Sequence, residues 1–214
     1  MVKINSETDF SAKSDIFLDF VDLLGAKALK INDPKLTTES FLSSKENNKT
    51  ISDLINEMIA KIGENIIFNK ILVIENKNLN INYYTHNPYR KNIGKIVSTI
   101  LYSSNDNNDE VKSFARNLCM HIAASKPEAM DVNDLSAETI ENEKNIQQEM
   151  IKESGKPSNV MEKILEGKMK KFYSEVTLLN QNFVIDPDKT IKMAISDFNN
   201  SNSFSLENYS LVSL

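Results

Sequence analysis

Tryptophan is absent, cysteine occurs once, and glycine and proline occur five times each in 214 residues. A single thiol, Cys119, cannot close an intrachain disulfide, so the sequence implies no oxidising compartment. The glycines (Gly25, Gly63, Gly94, Gly155 and Gly167) lie too far apart for a G-x-G-x-x-G or P-loop phosphate cradle. The only histidines, His86 and His121, form no H-E-x-x-H pair and have no cysteine cluster to complete a metal site. Cys119 and His121 stand two apart on one predicted helix and point in different directions, which does not suit a nucleophile and its base. Cys119 reads instead as a small buried side chain. The inventory offers no catalytic residue, no metal ligand set and no cofactor site, and the chain is not expected to be an enzyme.

Positive charge is also scarce: 25 Lys and Arg against 30 Asp and Glu leave a net charge of −5, which disfavours a polyanion partner. Lys168, Lys170 and Lys171 are the local exception, and they read as the solvated face of a helix. The N-terminus lacks the apolar stretch of a secretory signal, and no apolar run approaches the roughly 20 residues of a membrane span. A cytoplasmic protein with neither nucleic-acid nor membrane partners is expected. The 40% hydrophobic residues can build a real core. Asparagine occurs 27 times but is scattered, so it reads as an AT-rich coding background and not as a prion-like tract.

Val2 and Ile4 alternate with polar residues as in a strand, which starts abruptly and is expected to be frayed. Thr8 and Asp9 can cap a helix, and Ile16, Phe17, Phe20, Val21 and Leu24 repeat at helical spacing, predicting one helix over 11–29 that ends at Asn32-Asp33-Pro34. The polar stretch 37–50 reads as a loop or frayed helix, and 52–62 as a helix stopped by Gly63. Segments 66–74, 79–85 and 93–102 read as one antiparallel sheet with turns at 76–78 and Asn87-Pro88. A helix to about Ala124 follows, then a helix-turn-helix broken at Ser154-Gly155-Lys156-Pro157. Met161, Leu165, Met169, Phe172 and Val176 form the narrow stripe of a two-helix coiled coil, and Gly167 suggests close helix approach. A short helix over 190–198 and a strand over 204–212 complete the chain. The expected class is α+β: two small antiparallel-sheet-plus-helix subdomains, 1–78 and 79–129 with 179–214, and a projecting antiparallel coiled-coil hairpin inserted at 130–178.

Several segments together resemble elongation factor Ts. Ser6-Glu7-Thr8-Asp9-Phe10-Ser11-Ala12-Lys13 is similar to the family's T-D-F-V-A-[RK], and Lys61-Ile62-Gly63-Glu64-Asn65-Ile66 to its K-I-G-E-N-[IL]. A third match runs from Met120-His121-Ile122-Ala123-Ala124-Ser125-Lys126-Pro127 through Ser154-Gly155-Lys156-Pro157 to Glu166-Gly167-Lys168-Met169-Lys170-Lys171-Phe172-Tyr173. Gln181-Asn182-Phe183-Val184 resembles Q-P-F-V, with Lys189-Thr190 where the family has K-T. The departures are Ser11 for Val, Ser14 for Asn, Asn182 for Pro and a longer polar loop at 37–50. The family's N-terminal module, which resembles a ubiquitin-associated domain, has no counterpart here, so the chain reads as a fragment or truncated frame that binds its partner more weakly than a full-length relative.

The resemblance implies a guanine nucleotide exchange factor that binds elongation factor Tu with GDP and promotes GDP release. Asp9 and Phe10 would insert at the edge of the GTPase's nucleotide domain and disturb its Mg²⁺ and phosphate-binding loop. Thr8, Ile62, Gly63, His86 and His121 complete the implied partner-binding set, although His86 alone reads as a surface turn residue and His121 as a packed helix residue. The hairpin would be a dimerisation or contact arm, allowing a homodimer or 2:2 complex. The alternative is an interaction protein that keeps the fold without exchange activity.

Overall fold

The computed structural model describes residues 1–153 and 158–214; the sequence-predicted break at 154–157 lies outside them. The fold is α+β. It divides into two compact units, one of residues 1–78, 85–97 and 212–214, the other of 79–84 and 98–211.

The first unit begins with β1 (Val2–Ser6), α1 (Asp9–Ala12) and α2 (Asp15–Ile31). Where one helix is predicted there are two, because the Ser14 hydroxyl accepts from the Phe17 N–H at 3.3 Å and starts a second helix. The polar stretch that follows is ordered: α3 (Thr38–Ser43) carries a Thr37/Ser40 capping box, and β2 (Lys45–Glu46) pairs with β3 (Lys49–Thr50). Thr50 then caps α4 (Ile51–Ile62), which ends at Gly63 with φ +81°, a left-handed conformation that any other side chain would strain. β4 (Ile66–Ile71) pairs antiparallel with β1 and not with the strands after it, which corrects the single expected sheet. That pairing turns Ile4, Ile66 and Ile71 into one core with Phe17, Phe20, Leu24, Phe41, Ile51 and Ile55. Nor is β1 frayed: the Met1 carbonyl accepts from the Leu72 N–H at 2.8 Å, and the Met1 ammonium donates to the Leu72 carbonyl at 2.6 Å.

β5 (Asn80–Arg90) and β6 (Ile93–Ser103) form a hairpin, and β9 (Ser205–Ser213) adds to β6 in the order β5-β6-β9. The turn is at Lys91-Asn92 and not at Asn87-Pro88; Asn87, at φ 47°, kinks β5 without ending it.

In the second unit, α5 (Asp109–Ser125) buries Val111, Ala115, Leu118, Cys119 and Ile122 against Ile100, Tyr102, Leu178, Phe183, Ile191 and Phe204. Each fully buried aliphatic chain contributes about 1.5–3 kcal/mol. α6 (Ala137–Glu153) packs along α7 (Ser158–Val176), and Ile151 of the one and Met169 of the other are buried. Four residues join these helices, so they run antiparallel. A Cβ at Gly167 would meet nothing within 4 Å, so close helix approach is not its role. The hairpin's root is zipped by the backbone: Glu128 N–H to the Val176 carbonyl at 2.8 Å, Leu178 N–H to Ala129 at 2.9 Å and Leu179 N–H to Met130 at 3.0 Å. A second small hairpin, β7 (Asn182–Phe183) with β8 (Asp186–Thr190), leads into α8 (Ile191–Phe198) and was not predicted. Among the described residues no helix is long and apolar enough to cross a membrane.

Candidate partner-binding site

Asp9 and Phe10 open α1, a single turn too short to stiffen itself. Its support comes from two places. Thr8 caps it from within, its hydroxyl accepting from the Ser11 N–H at 3.2 Å. Glu64 holds it from across the unit: its carboxylate accepts from the Thr8 N–H at 3.2 Å and from the Thr8 hydroxyl at 2.9 and 3.0 Å. The Ser11 hydroxyl, and after it Thr8, hold the Glu64 carboxyl below its ordinary value of 4.5, against the opposing effect of partial burial. The left-handed Gly63 ends α4 and turns the chain so that Glu64 meets Thr8. The Thr8–Phe10 and Ile62–Glu64 segments, more than fifty positions apart, are therefore one structure.

On this base Phe10 is 91% exposed, an aromatic ring with almost no shelter. Asp9 pairs with Lys95 at 3.2 Å. Lys95 is held above its ordinary range by Asp9 first and by the neighbouring Tyr89 hydroxyl second, although the Tyr89 oxygen is buried without a hydrogen bond of sound geometry. The Lys13 ammonium lies 5.8 Å over the Tyr89 ring. His86 is exposed on β5. A Cβ at Gly94 would sit 2.6 Å from Thr85 Cγ2 and 2.8 Å from the His86 carbonyl oxygen, so only glycine permits this strand approach. Ile62 packs half-buried against the first unit's core. Thr8, Asp9, Phe10, Ile62, Gly63 and His86 thus all belong to the first unit.

His121 lies in the second unit and is fully buried. Its Nδ1 accepts from the Val184 N–H at 3.3 Å, which leaves the proton on Nε2 to donate to Gln181 Oε1 at 2.9 Å. The Gln181 amide in turn donates to the Glu175 carbonyl at 2.7 Å. Burial lowers the pKa of His121, so the ring is neutral at pH 7. Cys119 is buried and its thiol is pushed up to about 12, which leaves no thiolate at neutral pH. Lys168, Lys170 and Lys171 are exposed, and Lys171 pairs with Glu175 at 3.6 Å. Among the described residues no group of three or more His, Cys, Asp or Glu could hold a metal ion.

Sequence reasoning missed Glu64, Lys95 and Arg90 as parts of this region. Only Glu64 left a signal, a carboxylate directly after a helix-ending glycine. By NMR, Glu64 is expected to titrate below 4.5, and Ser11→Val is expected to move that midpoint upward by removing its first hydrogen-bond donor. Because the folded value is depressed, this contribution to stability is present above pH 4.5 and fades as pH falls through the depressed value. An unmoved midpoint in the Val variant would remove Ser11 from the support.

A family profile described as Elongation factor TS matches residues 7–212. The chain is 37% identical over 198 residues to elongation factor Ts of Bartonella henselae, covering 92% of this chain and 64% of that protein. It is 42% identical over 200 residues to elongation factor Ts of Ruthia magnifica, covering 93% and 63% respectively. Elongation factor Ts of Brucella anthropi is 36% identical over 197 residues, with 92% and 64% covered. The chain thus spans a little under two thirds of the length of the curated relatives it matches. With the profile running through nearly every described element, from the tip before α1 to the last strand, the chain belongs to the elongation factor Ts family.

Proposed function

We propose that the chain is a cytoplasmic guanine nucleotide exchange factor that binds elongation factor Tu with GDP and promotes GDP release, performing no bond chemistry of its own. The observation that carries this reading is the 91% exposed Phe10 on a turn braced by Thr8 and Glu64. An aromatic ring costs free energy in water, and a braced one can enter an apolar cleft with little ordering penalty. Asp9 beside it brings a carboxylate toward a partner's Mg²⁺ and phosphate site, where negative charge opposes nucleotide retention. Exchange then follows from linkage: a chain that binds the empty GTPase more tightly than the loaded one weakens nucleotide binding by the same factor. In this reading Ile62, Gly63 and His86 flank the wedge, and the hairpin 130–178 is the contact or dimerisation arm. The test is release of fluorescent GDP from purified elongation factor Tu, which the chain should accelerate at least about tenfold at saturation, one decade per 1.4 kcal/mol of coupling. Binding without acceleration would establish the non-exchanging interaction protein instead.

A further inference from the structure

Three carboxylates of α2 converge on one guanidinium. Arg90 Nη1 donates to Asp19 at 2.6 Å and to Asp22 at 3.2 Å, and Nη2 donates to Asp15 at 3.1 Å. The aspartates are four and three positions apart, so they lie along one helix face, and Arg90 is the last residue of β5 before the turn. The guanidinium is held above its ordinary range by Asp19 first, then Asp22. Among the described residues, none from 85–97 belongs to the first unit's apolar core. The ties that join that segment to α1, α2 and the Lys13 between them include Arg90 with the three aspartates, Lys95 with Asp9, and Lys13 over Tyr89, all of them made by charged groups.

An attachment made by charge behaves differently from one made by apolar burial. Exposed ion pairs add little to global stability and weaken with salt. A planar guanidinium shared by three carboxylates nevertheless fixes direction, because its donors leave in set directions. Resting on the exchange reading above, we infer that Arg90 is a positioning residue that sets where the β5–β6 end, and with it His86, stands relative to the Asp9–Phe10 tip. It does not touch the partner. It holds two partner-facing segments of the first unit in one arrangement before docking, which lowers the ordering cost of binding and leaves the maximal rate unaltered.

The test has one arm without a partner. Spin labels are placed at Glu7→Cys and His86→Cys; the buried Cys119, its thiol pushed up to about 12, stays unlabelled. The distance distribution should be narrow with Arg90 present, broaden with Arg90→Gln or in high salt, and narrow again when Arg90→Asp is combined with Asp19→Arg. In the exchange arm, Arg90→Gln should raise the half-saturating concentration of the chain about five- to tenfold and leave the maximal rate within about twofold. In that background His86→Ala should add little. An unchanged distribution in Arg90→Gln would overturn the inference, as would a fall in maximal rate with half-saturation unmoved. A parent chain that fails to accelerate GDP release would sink the exchange reading alone, since the distance arm still judges the clamp.

Discussion

Replacing Phe10 by Ala is expected to lower chain-stimulated GDP release from elongation factor Tu by about 10- to 100-fold while leaving the fold intact. The two halves of that statement have separate physical grounds. With 91% of its surface exposed, Phe10 takes no part in the first unit's core, and exposed substitutions usually shift stability by no more than about 0.5 kcal/mol. Burying the ring in a partner's cleft removes most of its apolar surface from water, worth about 1.5–3 kcal/mol, and each 1.4 kcal/mol is tenfold. Because the proposed wedge acts on the nucleotide-free complex more than on the loaded one, the loss should fall on the maximal rate. Phe10→Leu should keep part of the activity, since it retains apolar bulk without the ring. Asp9→Asn separates charge from shape and also releases Lys95 from its partner. Stopped-flow release of fluorescent GDP reads all three variants, and circular dichroism checks the fold. Parental exchange by Phe10→Ala would end the wedge reading.

Much of the fold is legible wherever one local signal dominates. α4 is bounded by Thr50 and Gly63, α6 follows Ser136, and α7 carries a clear apolar stripe; all three stand close to where periodicity and capping put them. The misses have a common cause in how turns are made here. With so few glycines, asparagine supplies most of the left-handed positions: Asn32, Asn47, Asn48, Asn78, Asn87 and Asn92 have positive φ, as do Lys77 and Lys126, and among the described residues Gly63 is the only glycine that does. Asparagine tolerates that region better than other side chains do. Its abundance, read as a coding background, hid the Asn47-Asn48 turn of the β2–β3 hairpin and the Asn92 turn of β5–β6. Ser14 resembles any polar residue on a helix face until its hydroxyl is seen to start α2. The region around the tip is legible only in part. Nothing local separates Phe10 from a core aromatic such as Phe17, and the resemblance alone marked it. Glu64 with Thr8 and Arg90 with the α2 aspartates span 56 and about 70 positions, distances over which neither periodicity nor capping carries information.

The second unit's stability should depend heavily on His121. His121→Ala removes a fully buried ring packed edge-on to Phe183 at 5.9 Å, and it strands Gln181 Oε1 and the Val184 N–H. A cavity plus two unpaired buried groups should cost about 3–5 kcal/mol, which lowers the unit's melting midpoint by roughly 10 °C. His121→Phe fills the space but still strands both groups, so it should cost less, about 2 kcal/mol. The pair of variants separates packing from hydrogen bonding. Acid supplies an independent check with a fixed sign. Burial lowers the folded pKa of His121, so below about 6.5 the unfolded chain takes up a proton that the folded chain refuses. Stability should therefore fall as pH drops from about 6.5 toward 5, by at most about 1.4 kcal/mol per pH unit, and His121→Phe should flatten that slope. Since Gln181 and Val184 stand immediately before and after β7, His121 pins both ends of that short strand to α5. Chemical denaturation at several pH values measures both effects. A His121→Phe chain that keeps the parental slope between pH 6.5 and 5 would show that the buried imidazole does not govern it.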